Sequence, residues 1–222
     1  MKRATTMAVA VAMSLVLAGA ARGGLITFGL VVEYSGATPP EGTVPPPWLT
    51  ATIDDGADDT DGVVTLTLAA TNLTGSEKVK EWMLNLDPAF NPTNLDFANP
   101  VKTGTFDAPA ISKGTDAYGA SGDGLYDILF AFDITDGAPK TFGAGESIVY
   151  TVTLSGGGTL KASSFDFLSK DAGGHGPYPT AAHVLSIGAG EDSGWITTPE
   201  PATLALMALG GVGMLLTRRR GK

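Results

Sequence analysis

Alternation of apolar and polar residues with a period of two runs through most of the chain and is clearest at residues 126–134. Tyr126, Ile128 and Phe130 fall on one face of this segment, whereas Asp127 falls on the other. The pattern is typical of a β-strand, because successive side chains of a strand point to opposite faces of the sheet. The same reasoning predicts strands at residues 25–34, 48–53, 64–70, 79–86, 148–154, 165–168 and 182–187.

Turn signals separate the predicted strands, among them Asp61-Gly62, Asp123-Gly124 and the triplet at 156–158. Prolines favour an irregular excursion at residues 90–122 with one or two short strands, and a polyproline-like linker at 39–47. Eight or more short strands without a convincing amphipathic helix predict an all-β body, an antiparallel β-sandwich of jelly-roll-like type.

Composition excludes several classes of protein. The 222 residues contain no cysteine, which rules out disulfide scaffolds, cysteine-bound zinc and thiol catalysis. Residues 23–198 carry seven lysines, no arginine and 22 acidic residues, a net charge of −15. Because such a surface repels phosphate backbones and lacks the side chain best suited to bind them, we expect no nucleic-acid partner.

The first 22 residues have the three parts of a secretory signal peptide. A basic start at Lys2-Arg3 precedes an apolar run from Ala4 to Leu17, and small residues follow at 18–21. This order predicts a signal helix at residues 1–22 with cleavage after Ala20, Ala21 and Gly23 being alternative boundaries. The chain is therefore predicted to be exported, with its β body at residues 23–196.

The last 26 residues, 197–222, have a different three-part order. Pro199-Glu200-Pro201 comes first, an apolar segment at 202–217 follows, and the end at 218–222 is basic, with stop-transfer arginines Arg218, Arg219 and Arg220. As a helix the apolar segment spans roughly 24 Å, short of a core of about 30 Å but sufficient with local thinning. The arginines predict a single transmembrane helix that leaves the body outside the cytoplasm.

This combination of motif, hydrophobic segment and arginine cluster resembles the PEP-CTERM sorting tail of Gram-negative bacteria, also catalogued as an ice-binding-protein C-terminal domain. The resemblance implies that Pro199, Glu200 and Pro201 are a sorting motif recognised by an exosortase, and that the helix is a transient membrane anchor, with a retained anchor as the alternative. It further implies an association with exopolysaccharide or biofilm. It implies no chemistry for the body, and the chain lacks the repeat that a flat, Thr-rich ice-binding face would need.

An acidic cluster between two predicted strands is a candidate site for a hard cation. It contains Asp54, Asp55, Asp58, Asp59 and Asp61. Carboxylate oxygens suit Ca²⁺, but the EF-hand register fails, because with Gly62 at the sixth loop position Ala57 and Leu68 stand where the first and last ligands are needed. A solvated acidic hairpin is the preferred interpretation, and weak Ca²⁺ binding is the alternative.

The remaining candidates for chemistry give no catalytic prediction. His175 is expected in a loop and His183 in a strand, with no metal-ligand spacing between them. The pair His183 and Ser193 resembles protease boxes only by chance, since ten residues separate them. A pair of carboxylates for a hydrolase is a weaker alternative, because sequence alone cannot bring two acids together.

Tryptophan offers a second route to function, since an exposed indole on a β-sandwich can stack on sugar rings. Trp82 shares a face with Leu84 and Leu86 and is expected in the core, which leaves Trp48 and Trp195 as possible sugar-stacking residues. The sequence therefore predicts a non-enzymatic exported protein of the cell surface or extracellular matrix. A carbohydrate- or Ca²⁺-binding module is the alternative.

Overall fold

Segments with apolar residues at every second position form strands. A computed structural model describes residues 24–41, 47–57, 61–122, 124–135, 141–189 and 192–199. These residues form eleven strands and two 3-10 helices, at Pro92–Asn94 and Ala162–Phe165, and contain no α-helix. The strands are β1 (Leu25–Leu30), β2 (Val32–Glu33), β3 (Leu49–Asp54), β4 (Val63–Ala69), β5 (Lys78–Leu84), β6 (Leu95–Thr103), β7 (Ala110–Gly119), β8 (Leu125–Ala131), β9 (Ser147–Leu154), β10 (Thr180–Ile187) and β11 (Asp192–Thr197).

Two antiparallel sheets contain all of these strands. The five-stranded sheet has the order β1-β3-β4-β9-β6, and the six-stranded sheet has the order β2-β11-β10-β5-β8-β7. All strand pairings in both sheets are antiparallel. The predicted all-β, antiparallel body is therefore confirmed, whereas the predicted signal helix at 1–22 and transmembrane helix at 202–217 lie outside the described residues.

The alternation of the strands places one apolar face of each sheet in a shared core. Leu66 and Leu68 of β4 and Phe130 of β8 are fully buried in this core. Aromatic rings join the two sheets there, since Phe130 lies 5.4 Å from Phe97 of β6 and 6.0 Å from Tyr150 of β9 between ring centroids. Burial of these faces is the main favourable term for folding, as in a β-sandwich.

The first predicted strand is divided between the two sheets. β1 pairs with β3 in the five-stranded sheet, and β2 pairs with β11 in the six-stranded sheet. Val31 is the crossing point, and its backbone N–H donates to the carbonyl oxygen of Thr197 at 2.9 Å. One extended segment at residues 25–33 therefore ties both sheets together near the chain's C-terminal strand.

Residues 90–122 are more regular than predicted, because they contain two long edge strands. β6 is nine residues long and lies at the edge of its sheet, where Pro100 is tolerated beside a bulge between Ala98 and Val101. β7 is ten residues long and forms an edge of the other sheet. Their polar faces are exposed to solvent, which explains why composition suggested an irregular excursion.

The strand predicted at residues 165–168 is wrong. Phe165 ends the 3-10 helix Ala162–Phe165, and the residues that follow it belong to no strand. The hydroxyl of Ser164 accepts the backbone N–H of Lys161 at 3.1 Å, and the carboxylate of Asp55 accepts that of Ala162 at 2.9 Å. These two side chains bind the N–H groups at the helix start, so that the local capping overrides the apolar alternation.

Candidate functional site

The strand that precedes the predicted sorting motif is an interior strand of the six-stranded sheet. β11 lies between β2 and β10, and Thr197 at its end is fully buried. The hydroxyl of Thr197 donates to the carbonyl oxygen of Thr180 at 2.6 Å. The chain is therefore held by hydrogen bonds on both sides until two residues before Pro199.

An open groove of about 420 Å³ lies where the chain leaves this strand. Thr198 is buried beside it and Pro199, the first residue of the predicted motif, is partly buried in its wall. The other residues that line the groove come mainly from β1 and the loops near it; they are Thr27, Phe28, Gly29, Val31, Pro47, Asp166 and Pro179. Pro199 thus belongs to the surface of the body rather than to a separate stalk.

Comparison with known families decides the nature of this tail. Residues 197–220 match the family model described as the PEP-CTERM protein-sorting motif. The chain carries a PEP-CTERM sorting motif. No curated protein and no solved structure gave a match.

The PEP-CTERM motif supports an exported protein that is sorted by an exosortase to a surface or membrane-associated location. The matched segment begins at Thr197, so its first three residues belong to the described body. Glu200, Pro201 and the predicted stop-transfer residues Arg218, Arg219 and Arg220 lie outside the described residues. Over residues 24–199, apart from the gaps named above, no helix has the length and hydrophobicity needed to span a membrane.

The acidic cluster forms part of the hairpin between β3 and β4, as predicted. Asp54 and Asp61 are exposed, and each accepts a backbone N–H two residues further along the chain, from Gly56 at 2.8 Å and from Val63 at 2.9 Å. Asp55 instead points into the body, is 5% exposed and binds the N–H of Ala162. The three described acids of the cluster therefore have separate hydrogen-bond partners.

The structure describes only three of the five acids that the sequence predicts as a possible metal site. Asp58 and Asp59 lie outside the described residues. In the part of the chain that is described, no group of three or more histidine, aspartate or glutamate residues is arranged to hold a metal ion. Weak Ca²⁺ binding therefore stays a prediction, which a titration with matched salts can test.

The tryptophans occupy three different environments. Trp82 is fully buried, as expected, and its indole N–H donates to the hydroxyl of Thr180 at 3.0 Å. Trp48 is only 4% exposed, because its backbone N–H binds Leu30 and its ring packs in the core at the start of β3. Burial leaves Trp48 without a face for a sugar.

Trp195 lies partly buried on the outer face of the six-stranded sheet. Its ring stacks on His183, the residue opposite it on β10, with centroids 4.7 Å apart and planes 5° from parallel. It also packs beside an outer cluster that includes Tyr34 and Met83. These contacts cover much of the indole, so that Trp195 offers a smaller sugar-stacking surface than the sequence predicted.

The environment of His183 favours its neutral form. Burial lowers the pKa of His183 from the ordinary value of 6.5, the nearby Lys80 lowers it further, and Glu81 partly opposes both effects. His175, in contrast, is exposed in the loop before β10. The predicted loop and strand positions of the two histidines are confirmed.

The sequence did not predict a cleft of about 200 Å³ between the segment at residues 85–92 that follows β5, the strands β7 and β8, and the loop at residues 167–170. Its polar lining residues are Asn85, Thr115, Asp116, Asp127 and Lys170, and its apolar ones are Leu86, Pro88, Phe90, Pro92, Phe167 and Leu168. Asp127 was the one sign of this cleft in the sequence, because it is an acid within an otherwise apolar strand. It is only 8% exposed, so the fold must provide partners for its carboxylate.

Proposed function

We propose that this protein is a non-enzymatic component of the cell surface or extracellular matrix, delivered by an exosortase-type system and associated with exopolysaccharide. The match at residues 197–220 carries the proposal, because it supplies the sorting signal at the end of a folded body. The exopolysaccharide association is what the resemblance of the tail implies for its cargo.

A structural or adhesive role is supported by the way in which the buried acids are used. Both carboxylate oxygens of Asp127 accept backbone N–H groups, from Leu86 at 2.9 Å and from Asp116 at 2.8 Å. Asp116 in turn is paired with Lys170 at 3.2 Å. Carboxylates engaged in this way are positioned to hold loops together, whereas a hydrolase needs an acid and a base directed at its substrate.

The sorting step is tested on protein from the native cell. Intact mass of the extracellular protein is expected to show loss of the signal peptide and of the chain beyond the motif. A Glu200→Ala variant should keep its tail and stay with the membrane fraction, whereas Asp107→Asn, an exposed acid far along the chain from the motif, should be processed normally. Residues 202–222 still attached to wild-type protein outside the cell would contradict the proposal.

The matrix association is tested separately. The processed protein is expected to sediment with the extracellular polysaccharide of the same cells and to be released when that polysaccharide is digested. Protein that remains in the supernatant before digestion would disprove the association while leaving the sorting step intact.

A further inference from the structure

One buried amide in the cleft has an unused hydrogen-bond acceptor. Asn85 is 2% exposed, and its Nδ2 donates to the carbonyl oxygens of Tyr178 at 3.1 Å and Pro179 at 3.0 Å. These two acceptors fix the orientation of the amide, because only the nitrogen can donate to them. Among the described residues no donor reaches Oδ1, and Asn85 is one of the residues that line the cleft.

A bulge in β7 builds the opposite side of the cleft. Lys113 stands opposite Ile128 and Tyr118 stands opposite Tyr126, so that residues 114–117 face Asp127 alone. The bond from the N–H of Asp116 to Asp127 holds this bulge in place. Asp116 has a φ of +49°, a left-handed conformation that is costly for a residue with a side chain and occurs often at ligand sites.

Lys170 supplies a donor at the rim of the same cleft. Its backbone is bound in both directions to Leu125 of β8, with N–O distances of 3.0 and 2.9 Å. Its ammonium group lies 3.2 Å from the carboxylate of Asp116. The residues that line the cleft therefore include an amide fixed by two backbone carbonyl groups, a carboxylate and an ammonium group, and the last two form an ion pair with each other.

Apolar side chains form the rest of the lining. Phe90 and Phe167 are partly buried, and Leu168 is 51% exposed although it is apolar. Polar acceptors beside aromatic and aliphatic walls match a ligand that has hydroxyl groups on its edge and C–H groups on its faces. The cleft is smaller than the roughly 300–1,000 Å³ of sites for drug-sized ligands, which suits one ring.

The charged groups around the cleft disfavour both anionic ligands and metal cations. An anion would meet Asp116 and Asp127 on a body whose net charge is −15. A metal cation would find Asn85 Oδ1 and Asp116 beside the ammonium of Lys170, without a second free carboxylate. A neutral molecule with several hydroxyl donors meets neither obstacle.

We propose that this cleft binds a single neutral sugar ring, with a hydroxyl donating to Asn85 Oδ1, a second donating to Asp116, and the C–H face against Phe167. The source of the sugar, a neutral residue of the exopolysaccharide, rests on the proposed function. The binding chemistry itself rests only on the cleft. The site lies away from both tryptophans that the sequence singled out.

The test is an NMR titration of the mature protein with neutral methyl glycosides of glucose, galactose and mannose, and with glucuronate as the anionic control. At least one neutral glycoside is expected to bind with a millimolar dissociation constant and to shift the side-chain amide protons of Asn85. Glucuronate should cause no such shift. If no neutral glycoside moves the signals of Asn85, Asp116 or Leu168, the proposal is wrong.

Variants locate the site independently of folding. Asp116→Asn keeps a residue that tolerates the left-handed conformation and should weaken binding about fivefold, whereas Phe167→Ala should weaken it about tenfold. Asp107→Asn and Trp195→Ala are the controls and should bind as the wild type does, with thermal unfolding confirming that each variant is folded. Loss of binding in Trp195→Ala alone would move the site to the indole and overturn the proposal.

The sugar-binding test of the cleft and the matrix-association test of the proposed function can fail independently of each other. If the native protein sediments with exopolysaccharide but the cleft binds no neutral glycoside, the cleft proposal fails and the matrix role stands. If the cleft binds a glycoside but the native protein is absent from the matrix, the cleft proposal stands and the matrix role fails.

Discussion

At the scale of single residues, buried acids are held by backbone N–H groups instead of cations. The body has no arginine and only seven lysines, so few cations are available to its 22 acids. The contacts are Asp55 with Ala162, Glu77 with Glu41 and Thr74, and Asp127 with Leu86 and Asp116. Glu146, which is partly buried, accepts the N–H groups of Thr105 and Gly143 in the same way. Such bonds are fixed by the fold, and hydrogen bonds to a charged acceptor are stronger than neutral ones.

We expect the removal of two different buried hydroxyl groups to have opposite effects on the free energy of unfolding. The phenol oxygen of Tyr150 is buried and has no hydrogen-bond partner among the described residues, and burial raises the pKa of Tyr150 to about 12. Tyr150→Phe should leave the free energy of unfolding unchanged or raise it by up to about 1 kcal/mol, because an unsatisfied group is lost. Thr180 bonds both Trp82 and the carbonyl oxygen of Met83, so Thr180→Val should lower it by about 1–3 kcal/mol.

Urea denaturation at neutral pH measures both values, and a large loss of stability in Tyr150→Phe would show that its hydroxyl has a partner. The pKa gives a second readout. Unfolded tyrosine ionises near pH 10 whereas Tyr150 in the folded protein stays protonated to about pH 12, so the free energy of unfolding should fall as the pH rises from about 10 to about 12. Tyr150→Phe should lack this part of the alkaline decline.

His183 predicts a loss of stability in weak acid. Its pKa in the folded protein is lowered below 6.5, so the unfolded chain binds a proton first as the pH falls. The free energy of unfolding should therefore decline below about pH 6.5 and continue to decline until the folded protein protonates. The measurement is urea denaturation between pH 7 and 5, where His183→Gln should show a shallower decline than wild type, with the exposed His175→Gln as the control.

At the scale of structural elements, the β3–β4 hairpin predicts a general response to salt rather than a specific response to Ca²⁺. The carboxylates of Asp54 and Asp61 accept N–H groups of their own turns, and Asp55 points away towards Ala162. We expect thermal midpoints that rise equally in Ca²⁺, Mg²⁺ and NaCl at matched ionic strength, through screening of like charges.

A specific Ca²⁺ site in the β3–β4 hairpin would give a different result. A site with a dissociation constant near 1 mM would add roughly 1.4 kcal/mol at about 10 mM Ca²⁺, a shift of a few degrees that Mg²⁺ would not reproduce. Such a shift, abolished by Asp58→Asn and Asp59→Asn, would establish the calcium site.

Strands in the centre of a sheet were predicted better from their sequences than strands at its edge. Central strands such as β4, β8 and β9 bury every second residue, and their alternation was sufficient. The edge strands β6 and β7 bury little, so their residues resemble those of loops. β11 was missed because Asp192 and Gly194 interrupt its pattern, although it lies inside the sheet.

At the scale of the whole molecule, the C-terminal tail was easier to interpret than the body. The tail is defined by a short local motif, which the family match confirms at residues 197–220. The cleft depends on Asn85, Asp116 and Lys170, which meet only through pairing of β5 and β7 with β8 and through a bulge. No local pattern encodes that meeting, because cross-strand register is a property of the complete fold.

The pairing of β2 with β11 has a consequence for the order of events during export. The N-terminal part of an exported chain crosses the membrane first. β2 therefore crosses early, whereas its partner β11 is the last of the described strands to cross. The six-stranded sheet can close only when β11 enters between β2 and β10, and contacts between such distant segments form late in folding. The six-stranded sheet of an exported chain can therefore be completed only after Thr197–Pro199, the first residues of the sorting match, have crossed the membrane.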